Sequence, residues 1–176
     1  MMPPPASLAT ERLIIRPYGR EDLESLFLFF NDIRVTRYTD LPDGRTRKET
    51  AAFLDYILAS YTTEDPLYAF AVTLKESGEI IGSCGFAPLE DDGTGAQIYY
   101  AFFPDYWGKG YATEASRKMI ELVFSIPQFE RIVVDASPEN PASARVAERL
   151  GMHYFGLVQA GDRPSLRYLL TCPSDC

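Results

Sequence analysis

Ten consecutive residues, Tyr106-Trp107-Gly108-Lys109-Gly110-Tyr111-Ala112-Thr113-Glu114-Ala115, restrict the folding of this chain more than any other stretch. An alternating, aromatic-rich run from Gln97 to Phe103 precedes them, and Ala112, Ala115, Met119, Leu122, Val123 and Ile126 then recur at helical spacing. The pattern predicts a strand, a turn marked by Pro104, a glycine loop and a helix. Glycines one residue apart let the backbone approach a bulky anion without a Cβ in the way. The first helical turn offers N–H groups that have no acceptor inside the helix, at the positive end of its dipole. Together these features predict a phosphate or diphosphate site over Gly108 to Thr113. Glu114 is expected to favour the dipole while pointing away from the anion.

Two other phosphate loops are weighed against this pattern. The P-loop needs Gly-Lys followed by Ser or Thr, whereas Lys109 precedes Gly110 and no such triplet occurs in the chain. The dinucleotide fingerprint fits Gly108 and Gly110 but finds Thr113 at the third glycine; Asp135, ending a strand-like run, would be its acidic partner. The loop also falls late, with too little chain after it to complete a doubly wound sheet.

The string YWGKGYATEA resembles the acyl-CoA-binding segment of the GNAT superfamily of acyl-CoA-dependent N-acetyltransferases. Within it, the string is most similar to the branch containing the bacterial ribosomal-protein-alanine N-acetyltransferases. Trp107, Gly110 and Ala112 hold the motif positions usually filled by Gln or Arg, by Gly, and by Gly or Ala. The resemblance extends from Glu11-Arg12-Leu13 and Arg16-Pro17 to Leu150-Gly151-Met152, nearly the whole chain. It implies an α/β fold with a mixed, mostly antiparallel central sheet, a splayed strand pair and about four flanking helices. It also implies acetyl-CoA as acyl donor, lying in the splay with its arm along the main chain of Tyr100, Ala101 and Phe102. Gly108, Lys109, Gly110, Tyr111, Ala112 and Thr113 would hold the diphosphate.

Length and composition suit one globular domain: 176 residues, 46% of them hydrophobic. We expect a flexible lead-in over 1–10, the domain over 11–171 and a tail over 172–176. A net charge of −8 disfavours a nucleic-acid or anionic-membrane surface, because both need clustered Lys and Arg. The opening Met1-Met2-Pro3-Pro4-Pro5 lacks the basic and apolar regions of a signal peptide. Leu26 to Phe30, the longest apolar run, falls far short of the roughly 20 residues of a membrane span. A cytoplasmic protein is therefore expected. Cys84 sits in a strand pattern as a small hydrophobe; Cys172 and Cys176 are near enough to pair, but neither a disulfide nor a metal site is expected in that setting.

In order, the patterns predict a strand at Leu13–Ile15 and a helix opened by Glu21-Asp22 with Leu23, Leu26, Phe27, Phe30 and Ile33 inward. A polar segment from Arg34 to Arg45 leads to a second helix begun by the Thr46–Glu49 capping box, with Phe53, Tyr56, Ile57 and Ser60 on its inner side. An antiparallel meander follows, over Tyr68–Leu74, Ile80–Ala87 and Ala96–Phe103, with an acidic loop at Glu90-Asp91-Asp92-Gly93. After the glycine-loop helix come a strand at Arg131–Ala136, a helix from about Ala142 to Leu150 stopped by Gly151, and strands near Tyr154–Val158 and Leu166–Leu170.

The implied reaction is attack by a neutral amine on an acyl thioester, which needs positioning, proton removal and stabilisation of the oxyanion and leaving thiolate. By resemblance, Asn140 contacts the CoA arm and Ser143 lies near the thioester sulphur; read from the residues alone, Asn140 caps a helix and Ser143 sits in its first turn. Many family members carry a tyrosine acid seven residues after that asparagine, but this chain has Ala147 there, which leaves Ser143 as its substitute. No general base is marked. Glu90, Asp91, Asp92 and Glu139 are candidates that read equally as solvated loop charges, and His153 reads as a strand-edge residue. A peptide α-amine has a pKa of about 7.7–8.0 against about 10.4 for lysine, so a site without a strong base suits α-amines. Trp107, Tyr106 and Tyr111 are expected to pack the loop against the sheet, and Lys109 to face either a CoA phosphate or solvent. The partner expected is an amine-bearing acceptor, a peptide N-terminus or a small molecule such as an antibiotic, and a homodimer is compatible with the reading. A non-catalytic acyl-CoA sensor is the rival from another class.

Overall fold

Strand alternation divides the core between the two faces of one sheet. Tyr68, Phe70 and Val72 point to one face of their strand and Ala69 and Ala71 to the other, and all five are buried. The structure, a computed structural model, describes residues 6–39, 44–63, 67–90 and 93–172. The strands are β1 (Leu8–Ala9), β2 (Leu13–Pro17), β3 (Tyr68–Leu74), β4 (Ile80–Pro88), β5 (Gly95–Phe102), β6 (Arg131–Ala136), β7 (His153–Ala160) and β8 (Arg163–Thr171). They form one sheet in the order β1-β2-β3-β4-β5-β6-β8-β7. Every neighbouring pair is antiparallel except β5 and β6.

Helices cover both faces. α1 (Leu23–Asn31), the single turn α2 (Ile33–Thr36) and α3 (Arg47–Ser60) lie on the side of Ala69 and Ala71; α4 (Tyr111–Phe124) and α5 (Pro141–Arg149) lie on the other. Under α4 and α5 the core is closed by Met119, Val123, Ile132 and Ala147, and by Phe86 stacked on Tyr68 with ring centroids 4.1 Å apart. Cys84 is buried there as a small apolar residue. Cys176 lies outside the described residues, so the pairing considered for Cys172 does too. Among the described residues no helix is long and apolar enough to cross a membrane.

The first two helices differ from the sequence expectation. α1 ends at Asn31, because Asp32 is extended and its carboxylate accepts from the Arg34 N–H at 3.0 Å, capping a new turn. Ile33 is thereby left 58% exposed, and Phe29 replaces it as an inward residue. α3 begins at the expected Thr46–Glu49 capping box, but its buried side is Thr50, Leu54, Ile57 and Ser60, and Tyr56 is exposed. Spacings of three and four from Thr50 place these four on one stripe that excludes position 56. Leu8–Ala9, within the lead-in, pair with Ile15 and Ile14.

Ser116 on α4 is 1% exposed, and its hydroxyl has no hydrogen-bond partner among the described residues. A buried hydroxyl without a partner is destabilising, and alanine is the better helix former. Ser116→Ala is therefore expected to raise unfolding free energy by about 1 kcal/mol, measured by urea denaturation; a loss of stability would show that the hydroxyl is satisfied.

Candidate functional site

The site is made by a divergence. β5 and β6 share three register pairs, Gly95 with Arg131, Ala96 with Ile132 and Gln97 with Val133, and then no more. Pairing of β5 with β4 continues to Phe102. Bonds from Phe103 N–H to Ile81 O and from Leu89 N–H to Gly95 O, both 2.9 Å, fix the phase of the β4–β5 ladder. Odd-numbered residues of β5 therefore bond to β4, while Tyr100 and Phe102 turn their main-chain groups into the gap. Ala101 faces Ser83 across the ladder and directs its main-chain groups to β4. Trp107 Nε1–H donates to the Phe102 carbonyl at 2.6 Å, so the loop tryptophan holds the gap edge with its N–H while half its surface stays exposed.

At the end of that edge lies the glycine loop. Gly108 and Gly110 have φ of 74° and 83°, in the left-handed region that disfavours side chains. Gly110 is the N-cap of α4 and makes no side-chain cap, and the first intrahelical bond runs from Glu114 N–H to Gly110 O at 3.0 Å. The N–H groups of Tyr111, Ala112 and Thr113 precede that bond and open outward, the arrangement expected of an anion site. A Cβ at Gly108 would meet nothing within 4 Å.

Sequence reasoning missed what holds this loop. Arg12 Nη1 donates to Lys109 O at 3.0 Å, and the guanidinium lies 4.4 Å from the centre of the Tyr111 ring. Glu114 accepts from Thr10 Oγ1 at 2.5 Å, from Arg12 N–H at 2.8 Å and from Arg12 Nε at 2.7 Å. Glu114 points away from the loop's open face as expected, but it does so as the anchor of a brace to the start of β2. The only trace in the sequence was the resemblance carried by Glu11-Arg12-Leu13. Lys109 Nζ lies over the Tyr106 ring at 5.2 Å.

On the opposite side of the gap, β6 gives way to α5. Asn140 caps α5, its Oδ1 accepting from Ser143 N–H at 3.3 Å, so the capping seen in the bare residues is realised. The Tyr100 hydroxyl reaches across from β5, 2.9 Å from the Ser143 carbonyl and 3.1 Å from Ser143 Oγ. Burial pushes the Tyr100 phenol up to about 12, against the opposing pull of its Ser143 hydrogen bond. Ala147 is fully buried one turn further along.

The gap opens into a cleft of about 740 Å³ that runs from the glycine loop to a chamber under α1, α2 and α3. The chamber is lined by Leu26, Phe29, Val35, Tyr38, Phe53 and Tyr99. Tyr99 shows its ring to this space, but its hydroxyl is sunk among Ser83, Tyr18 and Cys84, and loss of solvation raises its pKa well above the ordinary phenol value. Asp135 is the one carboxylate among the described lining residues, and Arg167 binds both its oxygens, at 2.8 and 2.7 Å. Glu90, Glu139 and His153 are exposed and outside the lining; Asp91 and Asp92 lie outside the described residues.

A sheet split beside a glycine loop fits the acyl-CoA-dependent fold that the sequence resembles, and comparison with known proteins agrees. Residues 12–153 match the model of the acetyltransferase (GNAT) domain. The chain is 31% identical over 153 residues to the uncharacterized N-acetyltransferase p20 of Bacillus licheniformis, covering 87% of this chain and 85% of the relative. A GNAT-family acetyltransferase from Bacillus anthracis superimposes with a TM-score of 0.80 at 25% identity, over 94% of this chain and 98% of that one. Aminoglycoside acetyltransferase AAC(6')-Ib, in complex with coenzyme A and kanamycin, shares the fold with a TM-score of 0.73 at 23% identity, over 90% and 94%. This chain belongs to the GNAT family. It is an acetyl-CoA-dependent N-acetyltransferase, with acetyl-CoA as its cosubstrate.

The brace gives a pH dependence. Burial alone would raise the Glu114 carboxyl, but hydrogen bonds from Thr10 and Arg12 outweigh it and hold the folded value below the ordinary 4.5. A depressed carboxylate contributes stability in full above the unfolded value and loses it as pH falls through the folded one. The wild type should therefore lose thermal stability below about pH 4.5 more steeply than Glu114→Gln; superimposable melting-against-pH curves would show that the brace carries no such linkage.

Proposed function

We propose that the chain holds the diphosphate of acetyl-CoA on the N–H groups of Tyr111, Ala112 and Thr113, with Gly108 and Gly110 giving it room. The pantetheine arm then lies along the gap-facing edge of β5, where the main chain of Tyr100 and the N–H of Phe102 need a partner, the Phe102 carbonyl being held by Trp107. Acetyl-CoA supplies a thioester, and this path brings it to the mouth of α5 beside Asn140 and Ser143. A primary amine enters from the aromatic chamber; its nitrogen bonds to the acyl carbon, the carbon–sulphur bond breaks, and the proton lost by nitrogen balances the one taken by sulphur. Continuity of the cleft through the β5–β6 split, from loop to chamber, is the observation that carries this reading.

The acceptor we infer is an α-amine at a peptide N-terminus, or a small amine of similar basicity on an apolar body. With Asp135 committed to Arg167, the described lining provides no free carboxylate base, so the amine must arrive largely neutral. Near pH 7 roughly a tenth of an α-amine is neutral, against well under a thousandth of a lysine side chain. A second reading, a small-molecule acceptor of another kind, is favoured by the likeness in fold to the kanamycin-bound AAC(6')-Ib. Against a polycationic sugar stands the aromatic and aliphatic lining of the chamber.

Calorimetric titration with acetyl-CoA, CoA and NADH tests the donor site. Binding of the two CoA compounds alone is expected, and Gly110→Asp should abolish it, since its side chain would need a φ of +83° and would set a charge against the diphosphate. Retained affinity in that variant would sink the loop assignment. Turnover should then be seen with peptides bearing a free α-amine and an apolar first residue. Acetylation of kanamycin or of lysine side chains in preference would overturn the acceptor assignment.

A further inference from the structure

Resting on that reading of the cleft, we propose that Tyr100 is a positioning residue for acyl transfer, its phenol setting the hydroxyl of Ser143 to donate to the departing sulphur. Tyr100 and Ser143 come from opposite sides of the split, one from β5 and one from the first turn of α5, and both line the cleft. No other hydrogen bond between side chains spans the gap among those described here for β5 and α5. The phenol oxygen sits between two acceptors on one residue, the Ser143 carbonyl at 2.9 Å and Ser143 Oγ at 3.1 Å.

Tyr100 has one proton and two places to direct it. Donated to the carbonyl, it leaves the phenol oxygen as an acceptor, and Ser143 turns its own proton back to Tyr100. Donated to Oγ, it leaves the Ser143 proton free for the cleft. A rotation of two hydroxyl hydrogens, with no heavy atom moving, switches Ser143 between a parked and a donating state.

The chemistry stays balanced without either residue losing a proton. The amine nitrogen bonds to the acyl carbon, the carbon–sulphur electron pair goes to sulphur, and the proton released by nitrogen ends on sulphur or in solvent. Ser143 contributes a hydrogen bond to the thiolate as charge develops, and Tyr100 a hydrogen bond to Ser143. Burial holds the Tyr100 phenol up at about 12, so it stays protonated and able to donate to Ser143 throughout the neutral range. Ala147, buried and lacking a hydroxyl, has no part in this step.

The test is a double-mutant cycle on kcat and KM in the full chain. Tyr100→Phe keeps the ring and should lower kcat about tenfold while leaving the KM for acetyl-CoA and the calorimetric affinity for CoA within about twofold. Ser143→Ala should lower kcat by at least as much, and Tyr100→Phe added to Ser143→Ala should cost nothing further, because its effect passes through the missing hydroxyl. An unchanged kcat in Tyr100→Phe, or a full multiplicative loss in the double variant, would overturn the inference while leaving the acetyltransferase reading in place. Should kcat fall only together with CoA affinity and melting temperature, Tyr100 is a packing residue and the inference fails. A wild-type chain without CoA binding would remove the cleft assignment, and this inference with it.

Discussion

Everything at this site depends on two neighbouring parallel strands parting company. β5 and β6 are joined by a helical crossover, as parallel neighbours must be, and hold together only at their first residues. Beyond that point β6 keeps β8 as its partner and β5 keeps β4, so each strand is secured on one side and open on the other. Open main-chain groups in an interior are costly. An extended ligand with amide groups along its length would meet that demand, which is why the proposed path of the acyl donor follows this edge.

The rest of the architecture keeps the split usable. α4 and α5 seal one face with the larger core cluster, and the helices before β3 stand off the other to leave the chamber. Trp107 ties the glycine loop to the very edge that diverges, while Arg12 and Glu114 tie it to β2. Asp135 and Arg167, cross-strand partners on β6 and β8, close on each other and hold the far lip of the cleft. That pairing also explains why the acidic residue of the dinucleotide pattern has no ribose to serve.

Where the determinants of structure are local, the sequence was a good guide. Tyr68–Leu74 and Arg131–Ala136 coincide with β3 and β6, the Thr46–Glu49 box starts α3, and the strand–glycine–helix pattern appears with its positive φ angles. Reading failed where a side chain had a choice. Asp32 could be an ordinary helical residue or a cap, and its bond to Arg34 N–H decided for the cap. Tyr56 lies at helical spacing from Phe53 and Ser60, a stripe beside the one through Thr50, Leu54 and Ile57 that packing buried. In the candidate site, the loop and the Asn140 to Ser143 segment were legible as motifs. The phenol of Tyr100 and the guanidinium of Arg12 were not, because their partners lie 43 and 102 residues away and no periodicity links them.

The brace between the start of β2 and the glycine-loop helix also bears on the order in which the molecule is assembled. Contacts between Thr10 or Arg12 and Glu114 close loops of 104 and 102 residues, among the longest in the chain. Closing so long a loop carries an entropic cost that is recovered only when many other contacts form with it. On a ribosome adding about 5–20 residues per second, the early strands wait several seconds for the helix that will grip them. The meander β3–β4–β5, linked by short turns, has no such delay. Bracing of the glycine loop is thus a late event in the birth of the chain, well after the sheet that will flank it has begun to pair.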